Sequence, residues 1–186
     1  MLQIIIIILA VAFILYTILG GADFGAGILE IFAGRRGERT VSKAIAPVWE
    51  ANHVWLILAI VIIFTGFPLV YATLSLSLHI PLMVVLIGIV LHGTAFTFRY
   101  YDVSPDKTHK YFTSFFEISS FITPFFLGIT LGAMILGDIP PDNAGSFSER
   151  FILPWFNLFF FFLFFFVIPI FAYIVFVFFF FYVFIT

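Results

Sequence analysis

Seven ionisable side chains lie inside otherwise apolar stretches of this chain: Asp23, Glu30, Glu50, His53, His79, His92 and Glu117. Each needs a reason, because charge in a hydrocarbon core is costly and intramembrane carboxylates and imidazoles are the parts from which proton relays are built. The same groups also serve to pair helices and fix their register. At the 1.5 Å rise of a helix, counted from the ends flanked by Arg and Lys, Glu50, His92 and Glu117 lie about 10 Å in. Asp23 and His53 lie about 15 Å in, and Glu30 about 5 Å. Shared depth on successive segments predicts that these groups meet inside a bundle near one membrane face. Only His79 belongs near the other. As a proton path, Glu30, Glu50 and Asp23 form successive stations; as structure, they pair with one another. Glu30 and Glu117 are also near enough to the headgroups to be hydrated.

Other chemistries find less support. Facing His residues can hold haem between transmembrane helices, but His79 and His92 are about 20 Å apart along one helix, so only a His53/His92 pair is geometrically open. Glu50-x-x-His53 is half of a di-iron carboxylate motif, which needs a second Glu-x-x-His and two further Glu; no second copy occurs. There is no Cys, which removes disulfides, thiolate metal sites and cysteine nucleophiles. No nucleophile elbow, P-loop or dinucleotide fingerprint is present. Basic residues form only short clusters between apolar runs, so nucleic-acid binding has no footprint.

The elements that position these groups are membrane-spanning helices. Of 186 residues, 63% are hydrophobic and 10% charged, with mean hydropathy +1.23; a soluble domain of this size lacks the polar coat to cover itself. Five stretches exceed the roughly 20 residues that cross a bilayer core: Leu2–Ala33, Ala44–Phe64, Leu74–Phe98, Tyr111–Leu136 and Trp155–Ile185. The first lacks a basic leader, and its apolar run is too long for a signal peptide, so it reads as a retained helix. Arg35, Arg36, Arg39 and Lys43 follow it, and Arg99, Lys107 and Lys110 lie between the third and fourth stretches. Only Arg150 falls in the other connections, beside Asp138, Asp142 and Glu149. The positive-inside rule then puts the N-terminus outside. The expected fold is an all-α polytopic membrane protein, a four-helix transmembrane bundle over residues 1–157 plus a fifth apolar helix in a Phe-rich tail, 158–186. Gly20, Gly21, Gly25 and Gly27 give the first helix a surface that another backbone can approach closely. Pro68 and Pro81 mark helix ends. The tail has Phe runs and no polar feature, and carries no predicted chemistry.

Read in order, the motifs resemble one family. Gly20-Gly21-Ala22-Asp23-Phe24-Gly25-Ala26-Gly27 closes the first helix. Pro47-Val48-Trp49-Glu50-Ala51-Asn52-His53-Val54-Trp55-Leu56-Ile57 opens the second and is the most specific of the set. Phe67-Pro68-Leu69-Val70-Tyr71-Ala72 and Gly93-Thr94-Ala95-Phe96-Thr97-Phe98-Arg99 follow. Together, over approximately Ile14–Asn157, they resemble subunit II of cytochrome bd-type ubiquinol oxidases. The resemblance implies a subunit that binds no haem itself and packs against a subunit I holding two haem b and one haem d, in a bacterial cytoplasmic (inner) membrane. Quinol is the substrate of such a complex, and O2 is reduced to water. Subunit II stabilises the haem-bearing bundle and helps line a cytoplasmic proton route, to which the acid of the Pro-x-Trp-acid segment, here Glu50, belongs. Asp23 and Glu30 assist in that reading, and Trp49, Asn52 and His53 support or orient Glu50 or water. A structural quinone within the subunit is a further possibility.

The chain also departs from the family pattern. His92 stands where Arg is usual and Glu117 where an apolar residue is usual; lying at one depth on neighbouring helices, they are expected to pair. Family members are about twice as long, so a second half-subunit or a small accessory subunit is an expected partner besides membrane lipid. Arg99 and the Arg35/Arg36/Arg39 cluster read as anchors at anionic headgroups. Two rivals stand beside this reading: an ion- or proton-coupled transporter, whose paths also use buried carboxylates and broken helices, and a truncated, non-functional remnant.

Overall fold

A computed structural model describes residues 1–33, 35–101, 107–137, 146–148 and 158–185. Among the described residues the secondary structure is helical: α1 (Leu2–Ala33), α2 (Arg35–Gly66), α3 (Pro68–Ser77), α4 (His79–Tyr101), α5 (Lys107–Leu136) and α6 (Leu158–Ile185). Four helices are long and apolar enough to cross a membrane, over Leu2–Ile31, Ser42–Gly66, His79–Tyr101 and Thr108–Leu136. The chain is a multi-pass membrane protein. The side chains of Arg35, Arg36, Arg39 and Lys107 lie outside the described residues, as do Asp138, Asp142, Glu149, Arg150 and Trp155 to Asn157.

The third predicted span needs correction. Instead of one helix over Leu74–Phe98, the chain breaks at Leu78 (φ −104°, ψ 19°) between α3 and α4. Pro68 starts α3 directly after Phe67, and Pro81 sits in the first turn of α4, where a missing N–H costs nothing. α3 has ten residues, about 15 Å, too short to cross a bilayer. The spanning helix is α4.

α1 packs along α2, α4 along α5, and α6 against α1 and α5. From Gly20 to Ile28 every residue of α1 is buried, whereas Met1 to Ile8 are exposed. Small residues make that enclosure possible. A Cβ on Gly25 would stand 2.5 Å from the Phe171 carbonyl oxygen of α6, and one on Gly21 3.0 Å from the Phe171 and Ile174 side chains. Phe171 and Val175 are thereby buried, and Val175 joins Ala22, Ala26, Ile45 and Val48 in one apolar cluster. The Phe-rich helix is thus fitted to α1, although its own sequence shows only uniform apolarity.

Candidate functional site: two buried ion pairs and an outward carboxylate

Positions 16, 20, 23, 27 and 30 form one stripe of α1, since steps of three and four keep residues on one helix face. Two acids on this stripe cross the bundle to α4. Asp23 Oδ1 meets His92 Nε2 at 3.0 Å, and Arg99 Nη2 donates to Glu30 Oε2 at 3.0 Å. Both acid and base advance by seven residues, so α1 and α4 run parallel, as two helices separated by one complete crossing must. All four side chains are at most 2% exposed.

The hydrogen bonds around His92 fix its protons. The Ser119 and Ser120 hydroxyls donate to the Phe116 carbonyl, at 3.0 and 2.6 Å. Each serine has then spent its proton and offers only lone pairs to His92 Nδ1, 3.1 Å from Ser120 and 3.5 Å from Ser119. Nδ1 therefore carries a hydrogen and donates. A single proton remains between His92 Nε2 and Asp23 Oδ1. Ser, His and Asp in this order suggest a hydrolytic triad, but a nucleophilic serine must give its proton to the imidazole, and here donation runs the other way. Nor is either nitrogen of His92 open to iron, which removes the His53/His92 haem pair. The expected partnership of His92 with half-buried Glu117 is likewise replaced: both ring nitrogens are committed elsewhere.

Arg99 corrects another expectation. It is a buried partner and not a headgroup anchor, donating to Glu30 and, at 2.9 Å, to Ser42 of α2. Glu30, placed by depth near hydrating headgroups, is 2% exposed. Phe116 of α5 separates the two pairs. Its ring stacks on His92 (centroids 4.4 Å apart) and lies 4.3 Å from the Arg99 guanidinium carbon. His92 and Arg99 are two helical turns apart, so they cover opposite faces of the ring. Gly27 leaves the space this plate occupies: a Cβ there would collide with Ser120 Oγ and press on Phe116.

Glu50 is elsewhere. It is exposed, on a stripe of α2 with Pro47, Val54, Ile57, Val61 and Phe64, all exposed as well. Among the described residues it makes no hydrogen bond or ion pair. It does not converge with Asp23 and Glu30. Asn52, two positions on and so across the helix, is buried against Gly20 and cannot orient it. His53 is half-buried, with Nδ1 2.9 Å from the Trp49 carbonyl, so that nitrogen holds the proton and Nε2 is left as an acceptor. Trp49 packs on His53 and Phe96. The sequence reading missed Ser42, Ser119, Ser120 and Phe116. The one available signal was the shared seven-residue interval of 23/30 and 92/99.

The chain matches the family profile described as cytochrome bd terminal oxidase subunit II over residues 1–184. It is 35% identical over 133 residues to a cytochrome bd ubiquinol oxidase subunit 2 of Bacillus subtilis, covering 70% of this chain and 39% of that protein. It is 28% identical over 133 residues to the cytochrome bd-I ubiquinol oxidase subunit 2 of Escherichia coli, covering 70% of this chain and 35% of that one. A bd oxidase structure from Geobacillus thermodenitrificans superposes with a TM-score of 0.74 at 20% identity, over 94% of this chain and 53% of that one. The chain thus spans less than half the length of these two curated relatives. The profile match runs through α6, well past Asn157. The chain belongs to the cytochrome bd terminal oxidase subunit II family.

Proposed function

We propose that this member of the subunit II family works as a subunit of a quinol:O2 oxidoreductase in a bacterial cytoplasmic membrane. It packs against a haem-bearing subunit I through the Glu50 face of α2 and supplies part of the cytoplasmic proton path. The relatives named as ubiquinol oxidase subunits support the complex, and the exposure of Glu50 supports the face. Glu50 lies eight residues inside the apolar span that begins at Ser42, about 12 Å along the helix. A carboxylate at that depth is not stable against acyl chains. It needs a protein partner or an enclosed file of water, and apolar neighbours above it on the stripe form the rest of an interface.

In this reading Glu50 takes a proton from the cytoplasmic side and passes it across the subunit boundary. His53, one turn away with an acceptor nitrogen, exchanges protons with it or with water beside it. In this reading haem chemistry belongs to subunit I, and both His92 nitrogens of this chain are engaged in hydrogen bonds. Asp23 and Glu30 support the path indirectly, by holding α1 and α4 in register behind α2. Co-expression with subunit I and substitution Glu50→Gln test the proposal. Loss of O2 reduction by at least tenfold with an unchanged haem spectrum supports it. Unchanged turnover rejects it, and turnover without any haem-bearing partner rejects the assembly itself.

A further inference from the structure

Several buried polar atoms at the junction of α1, α2 and α4 have no hydrogen-bond partner among the described residues: Tyr16 Oη, Asp23 Oδ2, Asn52 Oδ1 and Trp49 Nε1. Buried polar groups are almost always paired, with protein or with ordered water. These four share one seam. Tyr16, Gly20 and Asp23 follow one another on the α1 stripe, and the Asn52 amide oxygen lies 3.3 Å from where a Gly20 Cβ would stand. α2 runs antiparallel to α1, so Trp49, one turn before Asn52, comes level with Asp23. Its Nε1 is 3.5 Å from a Cβ built on Gly93, the residue beside His92.

The donor and acceptor count is specific. Asp23 Oδ2 and Asn52 Oδ1 only accept, the Trp49 indole only donates, and the Tyr16 hydroxyl does either. The acceptors are not bonded to the donors, and no other side chain among the described residues bonds to them. Water closes such a set, because it donates to two acceptors while accepting from two donors. We infer that Tyr16, Trp49, Asn52 and Asp23 enclose a buried, ordered water site within this subunit. Gly20 suits this seam because a Cβ there would press on the Asn52 amide, 3.3 Å from its oxygen. The bound water solvates the carboxylate oxygen that His92 leaves free. It extends the Asp23–His92 network along α1, away from Glu30 and independently of Glu50. The inference does not depend on the oxidase reading.

Hydroxyl radicals generated by X-rays from bound water oxidise adjacent side chains even when they are buried, and mass spectrometry reads the sites. In the full chain in nanodiscs, Tyr16 (9% exposed) is expected to be oxidised at least fivefold faster than Phe171 (8% exposed), which packs against Gly21 and Gly25. Asn52→Leu should lower the Tyr16 rate severalfold and leave Phe171 unchanged. Equal rates for Tyr16 and Phe171 in the wild-type chain overturn the inference, whether or not the variant folds. Labelling of Tyr16 that is suppressed by NaCl but not by N-methylglucamine chloride also overturns it, since the oxygen-rich site then holds a cation in place of water.

Discussion

The acids of α1 and the acid of α2 lie at comparable depths and have opposite fates. Asp23 and Glu30 are buried, each bonded to a base on α4 and backed by serine hydroxyls. Glu50 faces outward with no partner among the described residues. Buried ion pairs give little net stability over an apolar core, yet breaking one costs several kcal/mol because the remaining charge has nowhere to go. The inner acids are therefore committed to holding α1 and α4 together. The outer one is still available for chemistry or a partner. Depth in the membrane does not distinguish these roles, but rotation about the helix axis does.

The contrast can be broken most severely at Arg99. Arg99→Met should destabilise the chain by about 3–5 kcal/mol, by leaving Glu30 charged and buried, while Glu30→Met with Arg99→Met should recover most of the loss. Denaturant titration of the purified chain measures both. Next in size, Gly25→Leu would drive a side chain into the Phe171 backbone and unseat α6, at a cost of about 1–3 kcal/mol or more; the same titration applies. Ser120→Ala should cost about 1 kcal/mol, because the His92 Nδ1–H loses its better acceptor while Ser119, at 3.5 Å, replaces it poorly. Glu50→Gln should leave the isolated chain as stable as wild type or more stable, because it removes a carboxylate with no partner among the described residues from an apolar span. A large loss there would erase the distinction between the two regions.

Much of this was legible before the structure. The apolar runs located three of the four spans to within a few residues but hid the break at Leu78 in the third, and the intramembrane acids were visible as exceptions. Rotation was not. In α1 the only marks of rotation are Asp23 and Glu30, which share one stripe of an otherwise uniformly apolar surface, and depth alone does not use them. For α2, Glu50 and Asn52 project to opposite sides, and their types alone do not tell which points inward. Arg99 was misassigned because it lies near the end of its run, where an anchor and a buried partner look alike. The fit of α6 was invisible for a related reason: its docking surface is written in the glycines of α1 and not in its own Phe residues.

The central claim is that the Glu50 stripe of α2 is a protein interface. Val54 lies one turn from Glu50 on that stripe and is 62% exposed, so a photo-crosslinking amino acid placed there keeps the carboxylate intact. Irradiation of membranes containing the haem-bearing subunit is predicted to give a covalent adduct with that subunit. Adducts with lipid alone would contradict the account.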